Sequence, residues 1–477
     1  MIYVHWLVLV IYFVLCIGTV IAVLLDRKEP VKTFAWLLLL CYLPVIGIIL
    51  YFFFGQNTRK RLLRRQTLSQ LRKQSLEEFQ AQDTSFLPQK HRGLLQMFVH
   101  QDMALPFCNN DVEIFSNGDA FFSSLLSALS TAEKHIHLET YIFENDEIGN
   151  RIADILRTKA RQGVEVRLLY DDVGCWRVPK RFFEQMRLDG VEAKSFLPVF
   201  FPLFTSKMNY RNHRKICVID GKKGYIGGMN IADRYIHGNN GTSWTDLHLC
   251  ITGNAVYGIQ SVFLQDWFYM DRTLLSGKNY YPSHDGISND CCIQIVTSSC
   301  ADKWPNIMQG YIKILNQAHQ YVYMETPYFL PTQEVISAMQ IAALSGVDVR
   351  IIIPEKGDNT FVEQASRSFF PEVQKSGVKI YLYKAGFNHS KLLVCDDEIS
   401  SVGSANIDSR SFENNMEVNA IIYNNELALQ FKEIFLSHIK ESQLMNPQQM
   451  AAAGPPTIRN FVPRLWQSII RMLSPLF

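Results

Sequence analysis

The chain has 477 residues, of which 48% are hydrophobic, and its formal net charge is only +2. It is too long for one ordinary domain and long enough for two sizeable cores. A net charge this close to zero argues against a general binder of nucleic acids, although local basic clusters can still act. The ten cysteines are scattered without a Cys-x-x-Cys pair, which favours reduced, structural cysteines and a cytoplasmic body.

Two uncharged runs at the N-terminus predict a membrane anchor. Residues 2–25 and 33–55 contain no Asp, Glu, Lys or Arg, and each reaches the ~20 residues that a helix needs to cross a bilayer. A signal peptide has a shorter apolar region after a cationic start, which this chain lacks. We therefore predict two transmembrane helices within residues 1–56, with a pair of buried core helices as the alternative.

A basic cluster after the second run bears on orientation. Seven Lys and Arg residues lie between positions 59 and 73, against three in the connector between the runs. Because basic segments stay in the cytoplasm, both termini and the main body are expected there. Two interpretations of the cluster are open, a topology signal and a surface for anionic lipid headgroups. It belongs to a polar, helix-prone connector over residues 57–104.

The chain beyond this connector contains an internal duplication. Residues 132–143 match residues 318–329, and residues 162–169 match residues 345–352, in the same order. A repeat this long indicates a duplicated domain and not a solenoid.

Each half is predicted to alternate strands and helices. In the first half we predict a strand from Ile136 to Phe143, a helix over residues 147–162 and a strand from Val164 to Tyr170. This alternation predicts βαβ units and a largely parallel sheet in each half. The fold class is therefore α/β, with two pseudo-symmetric lobes at residues 105–290 and 291–445.

Each half also carries the same motif, which supplies candidate catalytic residues. Lysine follows histidine by two positions, aspartate by seven and asparagine by seventeen in both copies. Side chains two apart on a strand point to the same face, so each copy places an imidazole beside an ammonium group. One copy is a weak signal, but a matched pair is costly to bury for packing alone. The candidate residues are His213, Lys215, Asp220 and Asn230 in the first copy, and His389, Lys391, Asp396 and Asn406 in the second.

Two imidazoles and two ammonium groups suit transfer at a phosphodiester. The lysines would stabilise charge on the non-bridging oxygens, and Asn230 and Asn406 would donate to the phosphate. One imidazole would attack phosphorus and form a phosphohistidine. The other would protonate the leaving alkoxide and later deprotonate the incoming hydroxyl. This scheme requires no cofactor and no metal ion, and neither motif lies near a His-Glu-x-x-His sequence or a ladder of acidic residues.

Four acidic residues are candidates for supporting roles. An imidazole needs a partner that fixes its tautomer. Asp246 and Glu417 each lie about thirty residues after the histidine of their own copy, at the start of an apolar strand, and solvated surface acids are the alternative. Glu139 and Glu325 also repeat between the halves, and they either lie near the site or cap strands.

These residues resemble the signature of the phospholipase D superfamily, His-x-Lys-x4-Asp followed by Gly-[Gly/Ser]-x-Asn, and both copies match it. Residues 44–47, 51–55, 209–215 and 474–477 resemble the family of bacterial cardiolipin synthases within it. The resemblance implies two lobes with one site between them. It implies transfer of a phosphatidyl group from one phosphatidylglycerol to another, which gives cardiolipin and glycerol in the membrane.

The resemblance also implies roles for individual residues. It implies His213 as the nucleophile and His389 as the acid and base. It implies that Asp220 and Asp396 hold the motif strands and take no part in the chemistry.

Two further apolar segments are interpreted as lipid contacts. Residues 195–204 are aromatic and interrupted by prolines, and they either insert in the bilayer or pack over the core. Residues 446–477 comprise a linker and an amphipathic helix at 461–477, which either lies in the membrane interface or docks on the protein. We predict a membrane-bound phosphatidyltransferase. The alternatives are a membrane phospholipase D that forms phosphatidic acid, a phosphodiesterase acting on nucleic acid, and an inactive scaffold.

Overall fold

The computed structural model describes residues 2–25, 30–51, 79, 87–199, 210–239, 241–275, 277–284, 286–446, 465–466 and 470–471. The basic cluster at 59–73 and residues 200–204 of the apolar segment lie outside these ranges, so the predictions made for them stay predictions. The chain divides into two compact units. One comprises residues 1–64 and 198–210, and the other comprises residues 65–197 and 211–477.

The two uncharged N-terminal runs differ in structure. The first is a single helix, α1 (Ile2–Leu25), which is long and apolar enough to cross a membrane. The second run contains α2 (Pro30–Tyr42) and α3 (Pro44–Leu50), which are separated at Leu43. A proline lacks the backbone N–H and restricts the residue before it, so the helix is interrupted there. Within the described residues, the prediction of two helices long enough to span is therefore confirmed in part, for the first run alone.

The second unit alternates strands and helices after an initial helix, α4 (Gln89–Asp102). Its strands are β1 (Pro106–Phe107), β2 (Asn110–Phe115), β3 (His135–Thr140), β4 (Glu165–Asp171), β5 (Glu192–Phe196), β6 (Ile216–Ile219), β7 (Lys223–Gly227), β8 (Trp244–Thr245), β9 (His248–Gly253), β10 (Cys292–Ser298), β11 (Tyr321–Glu325), β12 (Phe329–Leu330), β13 (Asp348–Pro354), β14 (Lys379–Tyr383), β15 (Phe387–Asn388), β16 (Leu392–Cys395), β17 (Ile399–Gly403), β18 (Ile407–Asp408), β19 (Glu417–Tyr423) and β20 (Ser442–Leu444). Its further helices are α5 (Gly118–Ser130), α6 (Glu147–Arg161), α7 (Lys180–Leu188), α8 (Arg234–His237), α9 (Val256–Asp271), α10 (Asn306–Gln317), α11 (Gln333–Leu344), α12 (Thr360–Gln374), α13 (Ser409–Glu413) and α14 (Asn425–Lys440), with a 3-10 turn at Lys278–Tyr280.

The first half forms a seven-stranded sheet in the order β2-β9-β7-β6-β3-β4-β5. The predicted strand, helix and strand are confirmed as β3, α6 and β4. Helix α6 begins where the Asp146 side chain accepts a hydrogen bond from the Gly149 N–H, and it ends just before Gly163, whose φ is +88°. These are ordinary start and stop signals of a helix.

The prediction of a largely parallel sheet is wrong. Strands β3, β4 and β5 are parallel, but β6, β7, β9 and β2 pair in antiparallel fashion. Strands β6 and β7 are joined by a tight turn at Asp220 and Gly221, with φ of +55° and +67°. A tight turn permits only an antiparallel pair, whereas the helices α6 and α7 provide the longer crossovers that parallel strands need.

The second half repeats this arrangement in a nine-stranded sheet, β1-β10-β19-β17-β16-β11-β13-β14-β20. Strands β11, β13 and β14 are parallel, and β16 and β17 form the hairpin that corresponds to β6 and β7. Strand β1 precedes the first sheet in the chain but pairs with β10 of the second. The duplicated α/β fold predicted from the sequence is thereby confirmed, with a mixed sheet in each half.

One hydrophobic core is shared by the two halves. Helix α9 contributes Phe263 and Trp267, and helix α14 contributes Phe431 and Phe435, to a cluster that also contains residues from both sheets. Each half has a separate second core on the other side of its sheet. The two sheets are therefore held together by buried apolar contacts, which fixes the relative position of the motif strands.

Residues 465–466 and 470–471 of the predicted C-terminal helix are described, and three of them contact the second half. Ile470 is buried in its core, the Trp466 indole donates to Gln364, and the Arg471 guanidinium pairs with Glu372. These contacts match the docked alternative for residues 461–477. The remaining residues of the predicted amphipathic helix lie outside the described ranges.

Candidate active site

The imidazole of His213 is held by a carboxylate from the other half of the chain. Its Nδ1 lies 3.0 Å from Oε2 of Glu417, the first residue of β19, and Glu417 is fully buried. The backbone N–H of His213 donates to the carbonyl of Met416 at 2.9 Å. The segment before β6 therefore runs beside the start of β19, which places the histidine next to the acid.

The imidazole of His389 has the corresponding environment with the halves exchanged. Its Nδ1 lies 2.6 Å from Oδ2 of Asp246, and its backbone N–H donates to the carbonyl of Thr245 at 2.7 Å. The short strands β15 and β8 pair in parallel just before these residues. His389 and Asp246 are both buried.

The prediction that Asp246 and Glu417 lie beside the histidines is consistent with this geometry, but the assumed partners are exchanged. Asp246 lies beside His389 and not His213, while Glu417 lies beside His213 and not His389. The exchange arises because each motif histidine pairs its backbone with the opposite half. Spacing along the chain carries no signal of such a pairing.

The ammonium groups of the two lysines lie close to the backbone carbonyls of the motif histidines. Nζ of Lys215 donates to the carbonyl of His213 at 2.5 Å, and Nζ of Lys391 donates to the carbonyl of His389 at 2.5 Å. Both side chains are buried, and burial lowers the pKa of Lys215 to about 7 and that of Lys391 to about 8. Arg214 points elsewhere and pairs with Asp266, as expected from strand alternation.

The carboxylates differ although their positions correspond. Burial raises the pKa of Asp246 to about 7. Burial acts to raise the pKa of Glu417 as well, but the charge and hydrogen bond of His213 outweigh it, and the pKa lies below its usual value. Burial also lowers the pKa of both imidazoles, and the pKa of His389 is lowered further by the ammonium group of Lys391. Both imidazoles thus bind a proton less readily than usual. Of the two carboxyl groups, that of Asp246 binds a proton readily and that of Glu417 does not.

A single position of the motif accounts for part of this difference. Ser404 donates its hydroxyl to Oε2 of Glu417 at 2.5 Å, which stabilises the ionised carboxylate. The corresponding residue in the first half is Gly228, which has no side chain to donate. A Cβ at Gly228 would collide with the carboxylate of Asp246, so the glycine is needed for that acid to fit.

Both imidazoles line one cavity of about 270 Å³. The sequence prediction also placed Asn230 and Asn406 here, and both line it. The Asn230 amide donates to the Tyr235 hydroxyl and accepts from the Ile142 N–H. Oδ1 of Asn406 is buried and has no hydrogen-bond partner within the part of the chain that the structure describes. Lining residues not anticipated from the sequence are Tyr141, Ile142, Arg211, Arg234, Tyr235, Trp244, Tyr328, Leu330, Asp358, Val362, Asp408, Arg410 and Asn415.

The motif aspartates hold the backbone at the far end of the motif strands. The carboxylate of Asp220 accepts from the N–H groups of Glu133, Lys134 and His135. That of Asp396 accepts from the N–H groups of the corresponding residues 319–321 in the second half. Each aspartate thus links the turn of its hairpin to the neighbouring strand, β3 or β11, with which the motif strand pairs.

The repeated acids Glu139 and Glu325 act on the residue before each histidine. Glu139 accepts from the Asn212 amide, and Glu325 accepts from the Asn388 amide at 2.9 Å. The oxygen of each of these amides accepts from the backbone N–H two residues ahead, beyond the histidine. These acids were interpreted either as lying near the site or as capping strands, and the structure places them near the site. The signal was their repetition at the ends of corresponding strands.

Metal binding was not expected from the sequence. Within the described residues, no group of three or more His, Cys, Asp or Glu side chains is arranged to hold a metal ion. The expectation of a reaction without a cofactor stays a prediction.

Comparison with known families and proteins extends over nearly the whole chain. The sequence profile of the family described as cardiolipin synthase, PLD-like domain, matches residues 125–267 and 311–439, and that described as phospholipase D-nuclease N-terminal matches residues 6–56. The chain is 37% identical over 470 residues to the cardiolipin synthase of Listeria monocytogenes serotype 4a, covering 96% of both chains. It is 38% identical over 463 residues to that of Alkalihalophilus pseudofirmus, covering 96% of this chain and 91% of the relative.

A solved structure supports the fold. The crystal structure of phosphatidylserine synthase from Haemophilus influenzae superimposes with a TM-score of 0.62 at 15% identity. The match covers 81% of this chain and all of that one. At this identity the likeness concerns the architecture alone.

Proposed function

The chain belongs to the cardiolipin synthase family of the phospholipase D superfamily, and on that premise we propose how its site performs phosphatidyl transfer. It is a phosphatidyltransferase and a membrane enzyme acting on phospholipids such as phosphatidylglycerol. The observation that carries the proposal is the cavity lined by both histidines, each held by a carboxylate from the opposite half.

His213 is the nucleophile. Ionised Glu417 accepts the Nδ1–H of the imidazole, so the lone pair on Nε2 is free to attack the phosphorus of phosphatidylglycerol. The Ser404 hydroxyl keeps Glu417 ionised. The negative carboxylate then stabilises the positive charge that the imidazole acquires as the P–N bond forms.

His389 is the acid and then the base. A protonated Asp246 donates to Nδ1, which leaves the other ring nitrogen as Nε2–H. Nε2 gives this proton to the departing glycerol oxygen while the carboxyl proton moves to Nδ1. In the second step Nε2 takes the proton of the incoming hydroxyl, and the original state is restored.

The positive charges and amides stabilise the phosphate. Lys215 and Lys391 lie directly behind the two imidazoles, and an anionic phosphate favours their charged forms. Asn230 and Asn406 line the same cavity and can reach the non-bridging oxygens. Asp220 and Asp396 fasten the hairpins and do not touch the reacting atoms.

Localisation and domain roles follow from the same premise. The anchor is multi-pass, the catalytic body faces the cytoplasm, and the lobes at 105–290 and 291–445 each provide one half of the site. Phosphatidylglycerol is the donor and the acceptor, cardiolipin is the product, and nucleic acid is not a substrate. The support for orientation is the excess of basic residues after the second apolar run.

Incubation of the purified protein with phosphatidylglycerol alone, in the presence of a chelator, tests this function. Cardiolipin and glycerol are expected in equal amounts. Phosphatidic acid with glycerol would show that water is the acceptor instead, and a requirement for added metal ions would overturn the metal-free scheme.

A further inference from the structure

The transfer reaction needs two anionic headgroups in one cavity. After glycerol has left, the phosphorus on His213 is attacked by a hydroxyl of a lipid that carries its own phosphodiester. The histidines, lysines and asparagines assigned above all act on the phosphate of the donor lipid. A second phosphate entering the same low-dielectric space requires its own positive partner.

Arg410 of α13 provides such a partner. Of the described residues, three arginines line the cavity, and two of them form ion pairs: Arg211 pairs with Asp171 at 3.3 Å and Arg234 pairs with Glu144 at 2.7 Å. Among the described residues, no carboxylate forms an ion pair with the guanidinium of Arg410. The nearby Asp408 instead accepts from the backbone N–H of Ser411 at 2.6 Å. A half-buried cation is therefore available to an anion in the cavity.

Asn415 provides an independent indication of a ligand. Its side chain is buried, lines the cavity, and donates from Nδ2 to Oε1 of Glu417 at 3.3 Å. An ionised carboxylate only accepts, so the amide nitrogen must face Glu417 and the oxygen must face away from it. Among the described residues, this buried oxygen has no hydrogen-bond partner. A buried acceptor of this kind is satisfied by a hydroxyl donor.

We propose that Arg410 and Asn415 form the headgroup site of the acceptor phosphatidylglycerol, a proposal that rests on the function given above. Arg410 binds the acceptor's phosphate, and Oδ1 of Asn415 accepts from its free glycerol hydroxyl. The other glycerol hydroxyl attacks phosphorus, the bond from phosphorus to Nε2 of His213 breaks, a P–O bond forms, and the hydroxyl proton passes to His389. This anion-binding site favours a lipid acceptor over water.

The variant Arg410→Gln tests this site through two reactions that share the phosphohistidine. Cardiolipin formation needs the anionic acceptor, whereas incorporation of labelled glycerol into phosphatidylglycerol needs only a neutral one. Loss of a charged hydrogen bond predicts a decrease of about 10- to 100-fold in kcat/KM for cardiolipin formation. The decrease in glycerol incorporation should be at least ~10-fold smaller than the decrease in cardiolipin formation. Arg410→Lys should recover part of the loss, because it keeps the positive charge.

Matched controls separate the outcomes. Arg367→Gln removes an arginine that pairs with Glu363 in the same half and should alter neither reaction. Equal losses in both reactions, or no loss in either, would overturn the acceptor site. Absence of glycerol incorporation in the unaltered protein would instead count against the proposed function. Variants are compared at equal amounts of folded protein, measured by thermal unfolding.

Discussion

The two halves of the site have nearly the same geometry and different electrostatics. In each, a backbone N–H of the motif histidine bonds to the residue before a buried acid, and that acid contacts Nδ1 of the histidine. At the second residue of the Gly-[Gly/Ser]-x-Asn motif, however, Ser404 donates to Glu417 while Gly228 leaves Asp246 without that donor. In the proposed mechanism, this one side chain helps divide a duplicated site into a nucleophile and an acid.

Under the proposed mechanism, this difference suits a two-step reaction. A covalent mechanism needs one imidazole with a free lone pair and one that carries a proton at the same pH. Identical halves would compete for the same proton. The two carboxylates differ in proton affinity, because the pKa of Asp246 is about 7 and that of Glu417 lies below its usual value. This difference removes the competition.

Removal of either imidazole should have the largest effect. We expect His213→Ala and His389→Ala each to lower kcat for cardiolipin formation by at least ~10⁴-fold, because each group is needed in both steps. The double variant should be no worse than either single one. His319→Ala, at an exposed histidine of the second half, is the matched control. Additive losses in the double variant would mean that the halves act independently.

Neutral replacement of the carboxylates should separate the halves. Asp246→Asn and Glu417→Gln should each lower kcat by about 10²- to 10⁴-fold with phosphatidylglycerol. With phosphatidyl-p-nitrophenol as the donor, the first step needs no acid. The release of p-nitrophenol should then recover in Asp246→Asn and stay low in Glu417→Gln. The opposite pattern would show that each acid serves the histidine of its own half.

The pH dependence of kcat/KM should reveal the hydrogen bond that Ser404 donates to Glu417. In the free enzyme, kcat/KM should fall above about pH 7 as the pair of Asp246 and His389 loses its proton. Ser404→Ala removes a hydrogen bond to ionised Glu417, so the pKa of that acid rises and the acidic limb moves to higher pH by about one unit. Ser400→Ala is the control, because its buried hydroxyl has no hydrogen-bond partner in the described ranges, and it should leave the profile unchanged. A shift of the alkaline limb alone would contradict the assignment.

Replacement of the motif aspartates should affect activity least. Asp220→Asn and Asp396→Asn weaken three backbone hydrogen bonds each, which should lower the free energy of unfolding by about 1–3 kcal/mol. Thermal unfolding should show a lower Tm, while kcat per folded molecule changes little. Glu113→Gln, at an exposed position of β2, controls for the loss of charge. A loss of kcat comparable to that of the histidine variants would assign these aspartates to the chemistry.

Much of the fold and site could be predicted because the chain repeats itself. Repetition distinguished His213 and His389 from the other histidines, and it identified the strand, helix and strand of each half. Glu139 and Glu325 were found in the same way. Arg234 and Arg410 also repeat, because each follows its motif asparagine by four positions, and this repetition could have identified both as residues of the site. Asn415 lies two residues before Glu417, where the first half has Trp244 before Asp246, so it gave no such signal.

The features that were missed have two causes: contacts between distant parts of the chain, and local turns or breaks that the pattern analysis did not weigh. The exchange of Asp246 and Glu417 follows from backbone pairing between halves, which no local spacing records. The sheets are mixed because tight turns at Asp220 and Asp396 reverse the chain, although the crossover helices suggested parallel strands. The second apolar run was counted by hydropathy alone, which does not register the break before Pro44.

Trapping of the covalent intermediate tests the central claim most directly. With phosphatidyl-p-nitrophenol, His389→Ala should release about one p-nitrophenol per protein and then stop, because the base for the second step is missing. Mass spectrometry of the acid-labile adduct should place the phosphatidyl group on His213. The variant His213→Ala should show no burst. An adduct on His389 in the His213→Ala variant, or a burst of equal size in that variant, would contradict the account.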